Sequence, residues 1–181
     1  PTDAGVQQRA ILICFLAAQY YRPGTVPHLL FSGHQGAGKT TAAKFLKAMT
    51  DPDTADSMGR LPADDTVLFT VAAQQQNIVL DNMSSLRGEH SDALCMLASG
   101  TAYQKRELYS DATRTVFKAK MSVLMTSIRD ELIAREDLMN RTFMVSLPPL
   151  PPSKRMTEGE IQKAFSRDLP HLLAGFFDLL S

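Results

Sequence analysis

The chain of 181 residues carries no excess charge of either sign and few cysteines. It contains 19 basic and 19 acidic residues, so no overall charge attracts it to nucleic acid or to a membrane surface. Any such binding must come from a local patch. Cys14 and Cys95 stand in apolar contexts and lack the spacing of a metal or redox pair. We expect buried, reduced thiols in a protein of cytoplasmic location.

The sequence also lacks a long hydrophobic run. The apolar stretch AILICFLAA, residues 10–18, is shorter than the roughly 20 residues that a membrane-spanning helix needs. A buried helix is favoured there over a secretory signal, and no membrane partner is predicted. The length of 181 residues suffices for one well-buried domain and a small helical appendage, and the composition, 44% apolar and 21% charged, is that of a globular protein. Because the chain begins at Pro1 without methionine, we expect an excised domain.

The stretch FSGHQGAGKT, residues 31–40, predicts a phosphate-binding loop. Gly33 to Thr40 matches G-x-x-x-x-G-K-[ST], with an apolar strand pattern before it and an amphipathic helix pattern after it. Glycines let backbone N–H groups wrap around phosphates, and Lys39 would bridge the β- and γ-phosphates. The alternative is a glycine-rich turn with an exposed lysine. The predicted ligands are ATP and Mg²⁺, and the predicted nucleotide-binding residues are Gly33, Gln35, Gly36, Ala37, Gly38, Lys39, Thr40 and Thr41.

A second strand pattern, NIVLD, ends in an acid. Thr40 and Asp81 are the predicted magnesium-holding residues, because a P-loop site needs a carboxylate at the end of a neighbouring strand. Asn82 follows, where many ATPases carry a glutamate that activates water. Asparagine can position water but cannot accept its proton at neutral pH, so nucleotide binding without hydrolysis stays open.

The remaining elements are predicted from periodicity and capping signals. We expect one helix over residues 5–21, with Val6, Ile13 and Cys14 among its inward-facing residues. Another opens at Asp64 and Asp65, although TVLFTV alone suggests a strand. A third has Ser91 as its N-cap and closes at Gly100. MSVLMTS and TFMVSL are predicted strands, and residues 50–63 a surface excursion. After PPLPP, Thr157 and Glu160 form a capping box for one helix, and Pro170 opens another.

Basic residues concentrate in residues 104–120, where the pattern predicts a β-hairpin. Tyr103, Tyr109 and Phe117 are interleaved with them and could stack on bases. A solvated hairpin whose charges prevent aggregation is the alternative. The predicted DNA-contacting residues are Lys105, Arg106, Arg114 and Lys118.

Three further side chains are candidates for the reaction itself. Thr126, at the end of MSVLMTS, could face the γ-phosphate, or it could simply end a strand. One of Arg135 and Arg141, which are six residues apart and do not share a helix face, could reach the nucleotide of a neighbouring subunit, with a surface salt bridge as the alternative for each. The predicted catalytic residues are Lys39, Asp81, Asn82, Thr126, Arg141 and Arg135.

Five segments together resemble a known family: GHQGAGKTT, IVLDNMSSL, SDALCMLASGTAYQKRELYSD, MSVLMTSI and REDLMNRTFMVSLPPL. They are similar to the AAA+ ATPase domain of phage and mobile-element primase–helicase-like proteins, which are related to superfamily-three viral helicases. The resemblance spans roughly residues 10–165. It implies an α/β P-loop core of the ASCE type with a central, mostly parallel sheet over residues 1–147, then a linker and partial helical lid over 148–181.

The resemblance also implies roles for individual residues. Asp81 takes the Walker B position, and Asn82 is usual after it. Thr126 matches the sensor-one position, which in relatives is typically asparagine. Arg141, with Arg135 as second candidate, matches an arginine that acts in trans.

The hairpin matches an element that in related helicases projects into the ring pore and grips DNA. The implied protein is therefore an ATP-hydrolysing motor of a DNA helicase that works as a homo-oligomeric ring, for example a hexamer. A nucleotide-gated assembly module and a P-loop small-molecule kinase are the alternatives.

Overall fold

The computed structural model describes residues 3–22, 24–52, 58–106 and 114–181. Within them, a five-stranded parallel sheet has the order β2-β3-β6-β1-β7. Its strands are β1 (His28–Ser32), β2 (Met58–Gly59), β3 (Asn77–Met83), β6 (Ser122–Ser127) and β7 (Thr142–Ser146). A separate antiparallel hairpin consists of β4 (Tyr103–Arg106) and β5 (Arg114–Phe117). The helices are α1 (Asp3–Tyr21), α2 (Lys39–Thr50), α3 (Asp65–Ala72), α4 (Gly88–Ser99), α5 (Glu136–Met139) and α6 (Glu158–Leu180).

The sheet is buried on both faces, which explains its nearly continuous apolar strands. Every residue of β1 and β6 is buried. Alternate residues along β1 serve different cores: Leu30 packs with α3 and α4, whereas Leu29 and Phe31 pack with α1 and α2. The predicted α/β class with a central, mostly parallel sheet is confirmed.

Two helices confirm the capping predictions only in part. The Asp64 side chain accepts a hydrogen bond of 2.9 Å from the Thr66 N–H at the start of α3, so the strand alternative for TVLFTV is wrong. Gly100 ends α4 with φ +73°, as predicted. Ser91 is not the N-cap of α4, because the helix begins at Gly88 and Ser91 is buried in its first turn. No side chain caps the start of α4.

The C-terminal segment contains one helix rather than two. The capping box between Thr157 and Glu160 is present at the start of α6. Pro170 lies inside α6 and does not open a new helix. A proline in a helix removes one backbone donor, and contacts on both sides of it hold the helix together. These are the stacking of Phe165 on Phe45, with ring centroids 3.9 Å apart, and the burial of Phe176.

The predicted inward face of α1 is wrong. The exposed fractions of Val6 and Ile13 are 52% and 40%, and Cys14 is exposed. The buried residues are Phe15, Leu16 and Gln19. Because the run is apolar on all sides, its periodicity does not select one face.

Cys95 is half-buried, and both cysteines are free thiols. Part of the predicted surface excursion, Met58–Gly59, pairs with β3 as a short edge strand, while residues 53–57 lie outside the described residues. None of the helices in the described parts of the chain is long and apolar enough to cross a membrane.

Candidate nucleotide site

The loop between β1 and α2 takes a conformation that requires glycine. Gly33, Gly36 and Gly38 have φ values of +137°, +78° and +80°. A Cβ atom on Gly33 would lie 2.4 Å from the backbone oxygen of Leu147. Gly38 is also the N-cap of α2, and no side chain caps that helix. The first N–H groups of α2 are therefore available to an anion, as in a P-loop.

The Lys39 ammonium folds back over this loop. Its Nζ donates hydrogen bonds of 2.7 Å to the Gly33 carbonyl and 2.9 Å to the His34 carbonyl. The loop thus holds a positive charge over its own concave side. This is the charge that would meet the β- and γ-phosphates.

Asp81 accepts two hydroxyl hydrogen bonds on one carboxylate oxygen. The Thr40 Oγ1 donates to Asp81 Oδ1 at 2.8 Å, and the Thr126 Oγ1 donates to the same oxygen at 2.6 Å. The backbone N–H of Asn82 donates to Thr126 Oγ1 at 2.9 Å. Four predicted site residues from three separate segments therefore meet at the carboxyl end of the sheet.

A β-bulge positions these groups. Leu80 pairs with Met125, but the next pair is Met83 with Ser127, so β3 has one residue more than β6 at this point. Asn82 takes up that residue with φ +55°, a left-handed conformation that asparagine tolerates better than most residues. The bulge turns the Asn82 N–H toward Thr126.

A cavity of about 500 Å³ lies between the loop and the bulge. Its lining residues are Gln35, Gly36, Gly38, Lys39, Thr40, Asp81, Asn82, Thr126 and Ile128. Ala37 and Thr41 instead line a second cavity of about 650 Å³ on the other side of the loop, together with Leu150 and Arg155. Gly36, Gly38 and Thr40 line both cavities, so the loop separates two cavities that share part of their walls.

The donor set suits a hard cation. Within the described residues no cluster of three or more His, Cys, Asp or Glu side chains is present. Mg²⁺ needs no such cage, since it keeps several waters and takes one or two protein oxygens with the substrate phosphates. The Thr40 hydroxyl and the Asp81 carboxylate supply such oxygens, so the residues present fit this ion.

The two candidate arginines lie away from this cavity. Arg141 directly precedes β7, whose first residue pairs with the first residue of β1. Arg141 therefore lies at the amino ends of these strands, whereas the loop follows the carboxyl end of β1. It forms an ion pair with Asp137 and donates to the backbone oxygen of Asp137 at 2.7 Å. Arg135 forms an ion pair of 2.7 Å with Asp92. Within the chain, both arginines make the surface salt bridges that were the alternative.

Cys95 lies beside Asp137 and Arg141. Burial, together with a hydrogen bond to the Asp137 carboxylate, raises the pKa of Cys95 to about 11. The thiol is therefore protonated at neutral pH.

The predicted hairpin is present, and its base is anchored by aromatic rings. Tyr103 pairs with Phe117 across the hairpin and stacks on Phe69 of α3, with ring centroids 4.5 Å apart and 8° between the planes. Tyr103 and Phe117 thus pack on the core and are not free to stack on bases, contrary to the prediction. Lys118 is exposed. Residues 107–113, with Tyr109, lie outside the described residues, as do the side chains of Lys105, Arg106 and Arg114.

Three residues at the site were not predicted. Ile128 follows β6 and lines the 500 Å³ cavity with an exposed fraction of 57%. Arg60 and Arg129 line an adjoining cavity that shares Asp81 and Asn82. Arg129 comes two residues after the predicted strand MSVLMTS, whereas Arg60 follows β2, a strand that the sequence did not predict.

The comparisons with known proteins agree with this fold. A family model described as "Actinomycete integrative conjugative element replication protein" matches residues 3–181. The apo C-terminal region of NrS-1 superposes with a TM-score of 0.60 at 14% identity, covering 91% of this chain and 40% of that one. The JCV helicase superposes with a TM-score of 0.56 at 19% identity, covering 91% of this chain and 48% of that one.

Both solved structures are longer than this chain, which spans less than half of each. A search of curated protein sequences finds no match. The family match confirms the resemblance to mobile-element replication proteins, and the solved structures show the shared fold.

Proposed function

The chain belongs to the family of actinomycete integrative conjugative element replication proteins, and from this premise we propose that it binds and hydrolyses ATP as the motor of a DNA helicase. The observation that carries the proposal is the contact between the phosphate-binding loop and the acid in β3. Asp81 Oδ1 lies 2.8 Å from the hydroxyl of Thr40, the first residue after the loop lysine. Nucleotide binding with a magnesium ion needs a carboxylate close to that threonine, as this hydrogen bond provides.

The roles of the residues follow from their positions. The amides of the loop and Lys39 would hold the phosphates, and Thr40 and Asp81 would hold Mg²⁺, which supplies charge neutralisation. Asn82 would orient a water molecule. The oxygen of that water would attack the γ-phosphorus, and the bond from the γ-phosphorus to the β–γ bridging oxygen would break. The water proton would pass to solvent or phosphate, because asparagine cannot accept it.

An arginine from a neighbouring subunit would complete the site. Arg141 lies at the amino ends of the strands, away from the nucleotide cavity of its own subunit, so it would contribute to a nucleotide site only in trans. Its side chain is 32% exposed and would exchange Asp137 for a neighbour's phosphate. The domain would then need a homo-oligomeric ring for rapid hydrolysis, and the hairpin would contact DNA through Lys118 and its other basic residues.

Two features of the cavity favour a second function. Asn82 stands where a base would be needed, and the exposed apolar side chain of Ile128 lines the same cavity. Both features fit a module that binds nucleotide to assemble and turns it over slowly.

Phosphate release, measured with and without single-stranded DNA, separates the two functions. The motor predicts DNA-stimulated release that falls at least a hundredfold in Lys39→Ala and in Arg141→Ala. Arg167→Ala removes a positive charge from the exposed face of α6 and should change the rate less than twofold. Tight ATP binding without turnover, at concentrations that support assembly, would favour the module instead.

Mixing the two inactive variants tests the role in trans. A subunit with Arg141→Ala keeps Lys39, and its neighbour with Lys39→Ala keeps Arg141. A mixed ring therefore contains complete sites, and part of the activity should return. If mixing restores nothing although mixed oligomers form, Arg141 does not act across a subunit interface.

A further inference from the structure

We propose that the cavity beside the nucleotide site, lined by Arg60 and Arg129, binds inorganic phosphate after it leaves the γ-position. The cavity has a volume of about 670 Å³. Its lining also includes Asp81, Asn82, Ser84, Ser85 and Ile128. The identity of this anion rests on the proposed ATP hydrolysis, whereas the site itself rests on the geometry of the cavity.

The strand order brings the two arginines to one place. β3 lies between β2 and β6, and Arg60 directly follows β2. Arg129 comes two residues after β6 ends, and its backbone N–H donates to Ser127 Oγ at 3.0 Å. Because the carboxyl ends of parallel strands lie at the same end of the sheet, the two arginines follow the strands on either side of β3, whose bulge carries Asn82, and both line the cavity.

The charges of this cavity favour an anion. In the described part of the chain, neither Arg60 nor Arg129 forms an ion pair. The residues that line the cavity include two arginines and one acid, Asp81, whose Oδ1 already accepts two hydroxyl hydrogen bonds. Guanidinium groups bind phosphate oxygens in a bidentate manner, and the hydroxyls of Ser84 and Ser85 can add further donors.

Continuity with the nucleotide cavity identifies the source of the anion. Asp81, Asn82 and Ile128 line both cavities. A phosphate that leaves the γ-position past Asn82 therefore enters this second cavity. A phosphodiester of single-stranded DNA offers the same chemistry, but the shared wall with the site of hydrolysis favours the released phosphate.

Binding of inorganic phosphate to the Lys39→Ala variant tests the proposal, because that variant removes the lysine of the P-loop. Equilibrium dialysis with radiolabelled phosphate should show saturable binding. Adding Arg60→Gln or Arg129→Gln should weaken it at least tenfold, whereas Arg167→Gln should change it less than twofold. No binding to Lys39→Ala, or binding that neither cavity substitution weakens, would overturn the proposal.

A second arm uses a short oligothymidylate in place of phosphate. If the cavity substitutions weaken oligonucleotide binding and phosphate does not bind, the cavity is a DNA site and the proposal fails. Failure of the motor gives a different result: phosphate still binds to Lys39→Ala, but the wild-type protein releases none from ATP.

Discussion

The hydroxyl of Thr126 joins the bulge in β3 to the carboxylate of Asp81. Its Oγ1 donates to Asp81 Oδ1 at 2.6 Å and accepts from the Asn82 N–H at 2.9 Å. One hydroxyl thus sets both the direction of the carboxylate and the position of the Asn82 backbone. Thr126 is a positioning residue for the candidate metal site, in addition to its place at the wall of the cavity.

Thr126→Val should weaken magnesium-dependent nucleotide binding. Valine has nearly the same shape but leaves the Asn82 N–H without its partner, which costs about 1–3 kcal/mol. We expect affinity for ATP with Mg²⁺ to fall about tenfold, with a smaller change when Mg²⁺ is omitted, as measured by calorimetry. Thr126→Ser keeps the hydroxyl and should bind within about twofold of wild type. Equal affinity of the valine and serine variants would show that the hydroxyl does not position the metal site.

Gly33→Ala should distort the loop. The added Cβ would lie 2.4 Å from the Leu147 oxygen, at a φ of +137° that alanine rarely adopts. We expect the free energy of unfolding to fall by about 2 kcal/mol or more, and ATP binding to be lost. Denaturant unfolding and calorimetry measure the two effects.

Gly175→Ala is the matched control for this substitution. It lies within α6, and among the described residues no atom outside its own helix backbone and chain neighbours lies within 4 Å of the added Cβ, so it should stabilise the chain by up to about 1 kcal/mol. An equally stable Gly33→Ala variant would contradict the close approach of the loop to Leu147.

The elements that sequence predicts correctly have local signals. The glycine loop, the strand ending in Asp81 and the capping box at Thr157 each combine a residue type with a fixed spacing. The face of α1 lacks such a signal, because its apolar residues surround the helix. Pro170 misleads for a related reason: proline marks a helix start only where no tertiary contact carries the helix through it.

The sequence predicts which residues form the site but not how they are arranged in space. Lys39, Thr40, Asp81 and Thr126 come from the sequence, whereas the bulge at Asn82 depends on how β3 and β6 register. Arg60 and Arg129 meet only because β3 lies between their strands. The P-loop motif predicts that Asp81 lies near the loop, but no motif predicts the strand order that brings Arg60 and Arg129 together.

His28 should make the fold sensitive to acid. It is fully buried, with Nε2 2.9 Å from the Leu94 oxygen and Nδ1 accepting from the Val123 N–H at 3.0 Å. Burial lowers the pKa of His28 to about 4 from 6.5, so the unfolded chain binds more protons between these values. The contribution of neutral His28 to the free energy of unfolding is therefore fully present above pH 6.5 and is lost as the pH drops toward 4. This loss approaches about 3 kcal/mol.

Denaturant unfolding at a series of pH values checks this dependence. His28→Gln should be less stable at pH 7 but lose less stability between pH 7 and 5 than wild type. His171→Gln, at an exposed position on α6, should keep the wild-type slope. An unchanged slope in His28→Gln would assign the acid sensitivity to other groups.

Tyr103 should connect the hairpin to the response to DNA. Its ring stacks on Phe69 of α3, so Tyr103→Ala removes the aromatic anchor of the hairpin, at a cost of about 2–4 kcal/mol in stability. If the hairpin contacts DNA, stimulation of phosphate release by single-stranded DNA should fall at least fivefold, with the basal rate changed less than twofold. Tyr103→Phe keeps the stacked ring and should behave as wild type. Undiminished stimulation in Tyr103→Ala would mean that the response to DNA does not pass through this anchor.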